Sequence, residues 1–199
     1  MERISVMKLM IASDIHGSAH YCRKLVEQFH QEKPDRLILL GDLLYHGPRN
    51  DLPREYNPKA VIPMLNEIKE SLICIRGNCD TEVDQMVLEF PILSETCLLY
   101  WNGRMIYASH GHHVNPEKPP FLRPGDILLN GHTHVPKWER MGENWYLNPG
   151  SVAIPKEKSH HSYVILGEDE VIFKTMGGEI YRGERMEPVP AGNLGVSEN

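Results

Sequence analysis

Three short, unbroken apolar runs at residues 9–12, 37–40 and 72–75 alternate with stretches of helical periodicity, and this alternation constrains the fold more than any other feature. A run without polar alternation is a strand covered on both faces. Between the first two runs, Cys22, Leu25, Val26 and Phe29 recur at helical spacing and predict an amphipathic helix over 19–31, ended by Pro34. Before the third run, Val61, Met64, Leu65 and Ile68 mark a second helix with Pro58 near its start. Strand, helix, strand, helix, strand in that order implies parallel pairing through right-handed crossovers. The intervening residues 43–57 carry no periodicity, and a loop of that length inside a compact domain is usually functional or disordered.

The second half is mostly β. Residues 96–101 and 104–109 flank Asn102-Gly103, a type I′ hairpin signal. Further short strands are expected at 127–129, 137–141, 145–147 and 162–166, then at 171–175 and 178–182. From Gly183 the chain turns to Glu, Pro, Gly and Ser and is expected to fray, and residues 1–6 are expected to be an extension ahead of Met7. The 199 residues therefore read as one domain of α/β class, with two sheets packed face to face and helices outside.

Charge narrows the function. With 21 Lys+Arg against 27 Asp+Glu the net charge is −6, and no Lys/Arg-rich stripe offers a dedicated nucleic-acid surface. A small phosphate ester stays compatible with that charge if a metal supplies the positive partner. The four cysteines, Cys22, Cys74, Cys79 and Cys97, form no CxxC pair and read as reduced thiols of a reducing, cytoplasmic compartment. No apolar run approaches membrane-spanning length, so no membrane partner is expected. Tyr100, Trp101, Trp138, Trp145 and Tyr146 read as packing residues of a sandwich, not as a base-stacking platform.

The chemistry sits at the strand ends. Each run of the first half closes on a polar cluster: Asp14 and His16, then Asp42, then Asn78, Cys79 and Asp80. The β half adds His110, then His132 and His134, nearly always beside a glycine. Ligands of α/β sheets bind outside the carboxyl ends of strands, so these clusters are placed to converge. Asp and His with one amide suit Mn²⁺, Fe²⁺, Ni²⁺, Co²⁺ or Zn²⁺ better than a Ca²⁺ cage. Seven donors exceed the needs of one ion and suit two ions with a bridging carboxylate.

The ordered set of Asp14-x-His16, Gly41-Asp42, Gly77-Asn78-x-Asp80, His110-Gly111 and Gly131-His132-Thr133-His134 resembles the calcineurin-like metallophosphoesterases over about residues 8–166. The short length, Gly77-Asn78-Cys79-Asp80, the Gly47-Pro48-Arg49-Asn50 loop and Asn148-Pro149-Gly150-Ser151 make the chain similar to the small bacterial phosphodiesterases of the YfcE type. The resemblance implies a four-layer α/β/β/α sandwich of two mixed sheets. It implies a first metal on Asp14, His16 and His134, and a second on Asn78, His110 and His132. Asp42 would bridge them, opposite a nucleophilic hydroxide. Mn²⁺ is the metal such enzymes commonly use. Many relatives carry His where this chain has Cys79, and that His is thought to assist the leaving group or orient the phosphate.

Asp42, Asn78, Cys79 and Asp80 are thus the expected catalytic residues, and His46, Arg49 and Cys79 the expected substrate contacts. Taken alone, Asp14 or Asn78 has a simpler role as a helix cap, and His46 or Arg49 as a solvated loop residue. The leading expectation is a metal-dependent phosphodiesterase acting on a small substrate, with oligomeric state open. The alternatives are a phosphomonoesterase or nuclease on the same site, or a non-catalytic metal-binding interaction module.

Overall fold

The computed structural model describes residues 7–187. Strands β1 (Leu9–Ala12), β2 (Arg36–Leu39) and β3 (Leu72–Cys74) pair in parallel, joined by helices α1 (Ala19–Glu32) and α2 (Pro58–Glu67), and a short helix α3 (Glu82–Gln85) follows β3. Ser18 caps α1 by accepting from the Tyr21 N–H, and Asn57 caps α2 with Pro58 in its first turn. The second half contributes β4 (Thr96–Trp101), β5 (Arg104–Ser109), β6 (Ile127–Leu129), β7 (Pro136–Met141), β8 (Asn144–Pro149), β9 (Ser162–Leu166), β10 (Glu170–Thr175) and β11 (Ile180–Arg185).

Two mixed sheets result, in the orders β11-β10-β9-β1-β2-β3 and β4-β5-β6-β8-β7. The apolar runs are explained by what covers each face. Met10, Ala12, Leu37, Leu39, Tyr163 and Ile165 pack towards Cys22 and Leu25 of α1 and Val61 and Leu65 of α2. Their neighbours Leu9, Ile11, Ile38, Val164 and Leu166 meet Ile106, Ile127, Trp145 and Leu147 of the other sheet. Trp138 and Trp145 stack in parallel at 4.5 Å within that second core.

Two expectations change. Tyr100 of β4, expected to pack within the sandwich, is exposed, as is Leu98 on the same face. Strand β11 runs through Gly183 to Arg185, where fraying was expected, and Met186 is buried beyond it. The pairing of Val171 with Glu184 and Ile172 with Gly183 holds this segment in the sheet. The expected extension 1–6 and the rest of the tail, 188–199, lie outside the described residues. No helix of the described residues is long and apolar enough to cross a membrane.

Candidate metal centre

The carboxyl ends of β1, β2, β3, β5 and β6 open onto one place. Backbone bonds lace the turns together: the Asp14 N–H donates to Gly41 O at 3.1 Å, His16 N–H to Asp42 O at 2.9 Å, and Gly131 N–H to His110 O at 2.9 Å. The close approach requires glycine at two points. A Cβ on Gly77 would lie 2.1 Å from Asp42 Oδ1, and one on Gly131 would lie 2.0 Å from Ser13 Oγ. Asp14, His16, Asp42, His132 and His134 all take left-handed backbone conformations, with φ between 47° and 63°. Such residues cost about 1–3 kcal/mol each and persist only where the surroundings over-determine them. The two buried cores on either side of the first sheet supply that constraint.

Three imidazoles are oriented identically. Nδ1–H donates to a carbonyl in each: His16 to Tyr45 O at 2.8 Å, His110 to Leu40 O at 2.6 Å, and His134 to Ile154 O at 2.8 Å. A carbonyl only accepts, so each neutral ring turns a bare Nε2 inward, as a metal-ligating histidine does. His16 Nε2 and His134 Nε2 lie 3.4 Å apart and flank Asp14 Oδ1 at 3.5 and 3.1 Å. His110 Nε2 lies 3.2 Å from His132 Nδ1 and 3.1 Å from Asn78 Oδ1. Asp42 Oδ2 stands between the groups, 3.7 Å from His16 Nε2 and 3.5 Å from His110 Nε2.

This donor set fits two divalent ions. Lone pairs of neighbouring imidazoles face one another at hydrogen-bond distance, which is unfavourable unless a cation or proton lies between them. Asp14 Oδ1 is buried with no hydrogen-bond partner. In the chain alone, burial would lower His110, but the Asp42 hydrogen bond and the charges of Asp14 and Asp42 carry it up to about 9. Burial and the neighbouring His110 pull His132 down to about 4. Burial opposes ionisation of Asp14, yet once His134 and His16 are protonated at Nε2 their hydrogen bonds hold it well below the usual carboxylate range.

Residues 7–170 match the Calcineurin-like phosphoesterase superfamily domain. The chain belongs to this family. It is 46% identical over 164 residues to Phosphodiesterase YfcE of Escherichia coli K12, a match covering 82% of this chain and 89% of that protein. The solved structure of the E. coli phosphoesterase YfcE aligns at a TM-score of 0.88 and 42% identity, covering 91% of this chain and 100% of that one. Probable metallophosphoesterase YsnB of Bacillus subtilis is 26% identical over 168 residues, covering 80% of this chain and 83% of that protein.

In this phosphoesterase the expected residues separate into two groups. Asp42, Asn78, Cys79, His16, His132 and His134 line a cavity of about 440 Å³, joined by Arg49. Asp80 lies behind it. Its carboxylate accepts from the N–H groups of Asp42 at 2.8 Å, Leu43 at 2.9 Å and Gly77 at 2.7 Å, so it is a positioning residue where a catalytic one was expected. Burial raises its carboxyl above the usual range, against those three donors. His46, expected to touch substrate, is not among the lining residues: its ring packs edge-on against Tyr45 and Tyr56.

Two contributors were not foreseen. Ser151, of the Asn148-Pro149-Gly150-Ser151 segment, donates its hydroxyl to Asp14 O at 2.9 Å and so holds that residue from behind. Lys156 lines the cavity from the loop after β8, its N–H bonded to His134 O at 3.1 Å.

Proposed function

We propose that this phosphoesterase hydrolyses small phosphodiesters, with two divalent ions, Mn²⁺ first among them, bound at the strand-end cluster. Asp14, His16 and His134 would hold one ion, Asn78, His110 and His132 the other, and Asp42 both. Such ions supply the Lewis acidity and positive charge that phosphoester hydrolysis needs. The observation that carries the assignment is the pair of inward-facing nitrogen clusters joined by Asp42, together with 46% identity to a phosphodiesterase over most of the chain.

The chain's own part is orientation. The Cys79 N–H holds Asp42 Oδ1 at 2.8 Å and leaves Oδ2 directed between the two histidine groups. The three Nδ1–H bonds to carbonyls lock the tautomers, so no ring must turn before it coordinates. Cys79 takes the place of the family's usual His beside the leaving group. In the metal-free chain burial, then the charge of Asp42, pushes its thiol up to about 12. An S–H is a weak donor, and esters with good leaving groups are therefore favoured. Four free thiols support a reducing, cytoplasmic setting.

The test is hydrolysis of bis(4-nitrophenyl) phosphate and of 4-nitrophenyl phosphate with Mn²⁺. The diester is expected to be cut faster, chelation to stop the reaction, and Asp42→Ala to lower the rate more than about a hundredfold, since even residues behind metal ligands change activity by about 10–100-fold. Preference for the monoester would assign a phosphomonoesterase. A diester rate equal to buffer would leave the interaction module.

A further inference from the structure

The cavity in front of the metal ligands carries more positive charge than a single diester calls for. Two divalent ions already balance Asp14, Asp42, one hydroxide and one diester. Arg49 and Lys156 add two further cations, and among the described residues Asp42 is the only carboxylate that lines the cavity. The surrounding chain is acidic overall, so this local excess runs against its composition. Among the described residues no Phe, Tyr or Trp lines the cavity, so they offer it no face on which a nucleobase could stack.

Both cations sit on held turns. Lys156 is fixed at both backbone groups: its N–H donates to His134 O, and its carbonyl accepts from Ser159 N–H at 3.0 Å and Ser159 Oγ at 2.6 Å. The two residues after it, Glu157 and Lys158, are both left-handed, with φ of 54° and 58°. Two consecutive strained residues of this kind cost about 1–3 kcal/mol each, which an unconstrained surface loop would relax. Arg49 lies in the turn closed by the Asn50 N–H to Gly47 O bond, and Asn50 Nδ2 donates to His46 O at 2.9 Å. Arg49 and Lys156 therefore reach one cavity from loops far apart in sequence, one following β2 and the other β8.

We infer that Lys156, with Arg49, forms an anion subsite beside the metal centre, so that the preferred substrate is a phosphodiester bearing a second anionic group, a carboxylate or a phosphate, on the alcohol that does not leave. The inference rests on the phosphodiesterase assignment above. An ammonium and a guanidinium favour such a group by charge-assisted hydrogen bonds, and Arg matches either oxyanion with its fork.

The test compares three 4-nitrophenyl diesters whose second alcohol is propyl, 2-carboxyethyl or 2-phosphoethyl, with the Mn²⁺-loaded enzyme. The wild type is expected to favour an anionic diester over the propyl one by about tenfold in kcat/KM, mostly through KM, consistent with about 1.4 kcal/mol per factor of ten. The carboxylate and phosphate arms identify which oxyanion is recognised. Lys156→Met should bring the anionic-to-propyl ratio close to one, and Lys156→Arg should keep it. Calorimetric binding of propyl and 2-carboxyethyl methylphosphonate to the loaded enzyme gives a second readout that needs no turnover. A wild-type ratio of one, or an unchanged ratio in Lys156→Met, would overturn the subsite. Preferential binding of the carboxyethyl phosphonate without hydrolysis of any diester would instead support the subsite and overturn the phosphodiesterase assignment.

Discussion

The residues of the strand-end cluster are held by bonds in which one partner is a main-chain group. Asp14 is gripped through its carbonyl by Ser151 and through Oδ2 by the His132 N–H at 3.1 Å. Asp42 is gripped through its own N–H by Asp80. This explains what sequence could and could not tell. That Asp14, His16, Asp42, Asn78, His110, His132 and His134 converge was legible because their chemistry and order are both unusual. The role of Asp80 was not, because a carboxylate two residues after Asn78 looks the same whether it faces substrate or backbone. Lys156 was hidden for a similar reason: an exposed lysine in a polar turn looks solvated, and its tie to His134 is a backbone bond. Asp80→Asn should lower stability by about 2–3 kcal/mol, because one oxygen becomes an amide donor facing an N–H. Mn²⁺ affinity should fall with it, since the Asp42 turn loses its anchor. Thermal melts and calorimetric metal titration of the variant check both effects, and an unshifted melt would show that the three N–H bonds carry no stability.

Among the elements, continuous apolar strands were the clearest signal, and the hairpin at Asn102-Gly103 falls where its turn chemistry puts it. Strand β11 was obscured because it alternates Tyr181, Gly183 and Arg185 with Arg182 and Glu184, a composition that resembles a tail. Its place is set by long-range contacts: Arg182 Nη2 donates to Trp138 O of the other sheet at 3.0 Å. The end of α1 is tied to the sheet by Glu32, which accepts from Lys8 Nζ at 2.9 Å, from Tyr163 OH at 3.0 Å and from Lys174. Burial raises the Glu32 carboxyl, but the bonds from Lys174, Lys8 and Tyr163 outweigh it and leave the group below its ordinary value. A depressed carboxylate stabilises the fold above its unfolded pKa of about 4.3 and loses that contribution as pH falls through the folded value. Glu32→Gln should therefore cost about 2 kcal/mol at pH 7 and progressively less as the solution is acidified below about pH 4. Urea denaturation of both proteins across pH measures the difference, and a gap that widens towards acid would reverse the sign.

At the scale of the whole molecule, two sheets bring clusters from both halves of the chain to one mouth. Each half alone would present an incomplete set, with Asp14, His16, Asp42 and Asn78 on one sheet and His110, His132 and His134 on the other. The two-sheet architecture was legible from the change of pattern between the halves, and the helices outside it from the periodicity that places α1 and α2 over the first sheet. The central claim is that the junction of the sheets is one two-metal centre. Anomalous diffraction at the manganese edge, from crystals grown with Mn²⁺, tests it most directly. The predicted result is two peaks, one on Asp14, His16 and His134 and one on Asn78, His110 and His132, with Asp42 contacting both. A single peak, or two peaks that do not share Asp42, would contradict it.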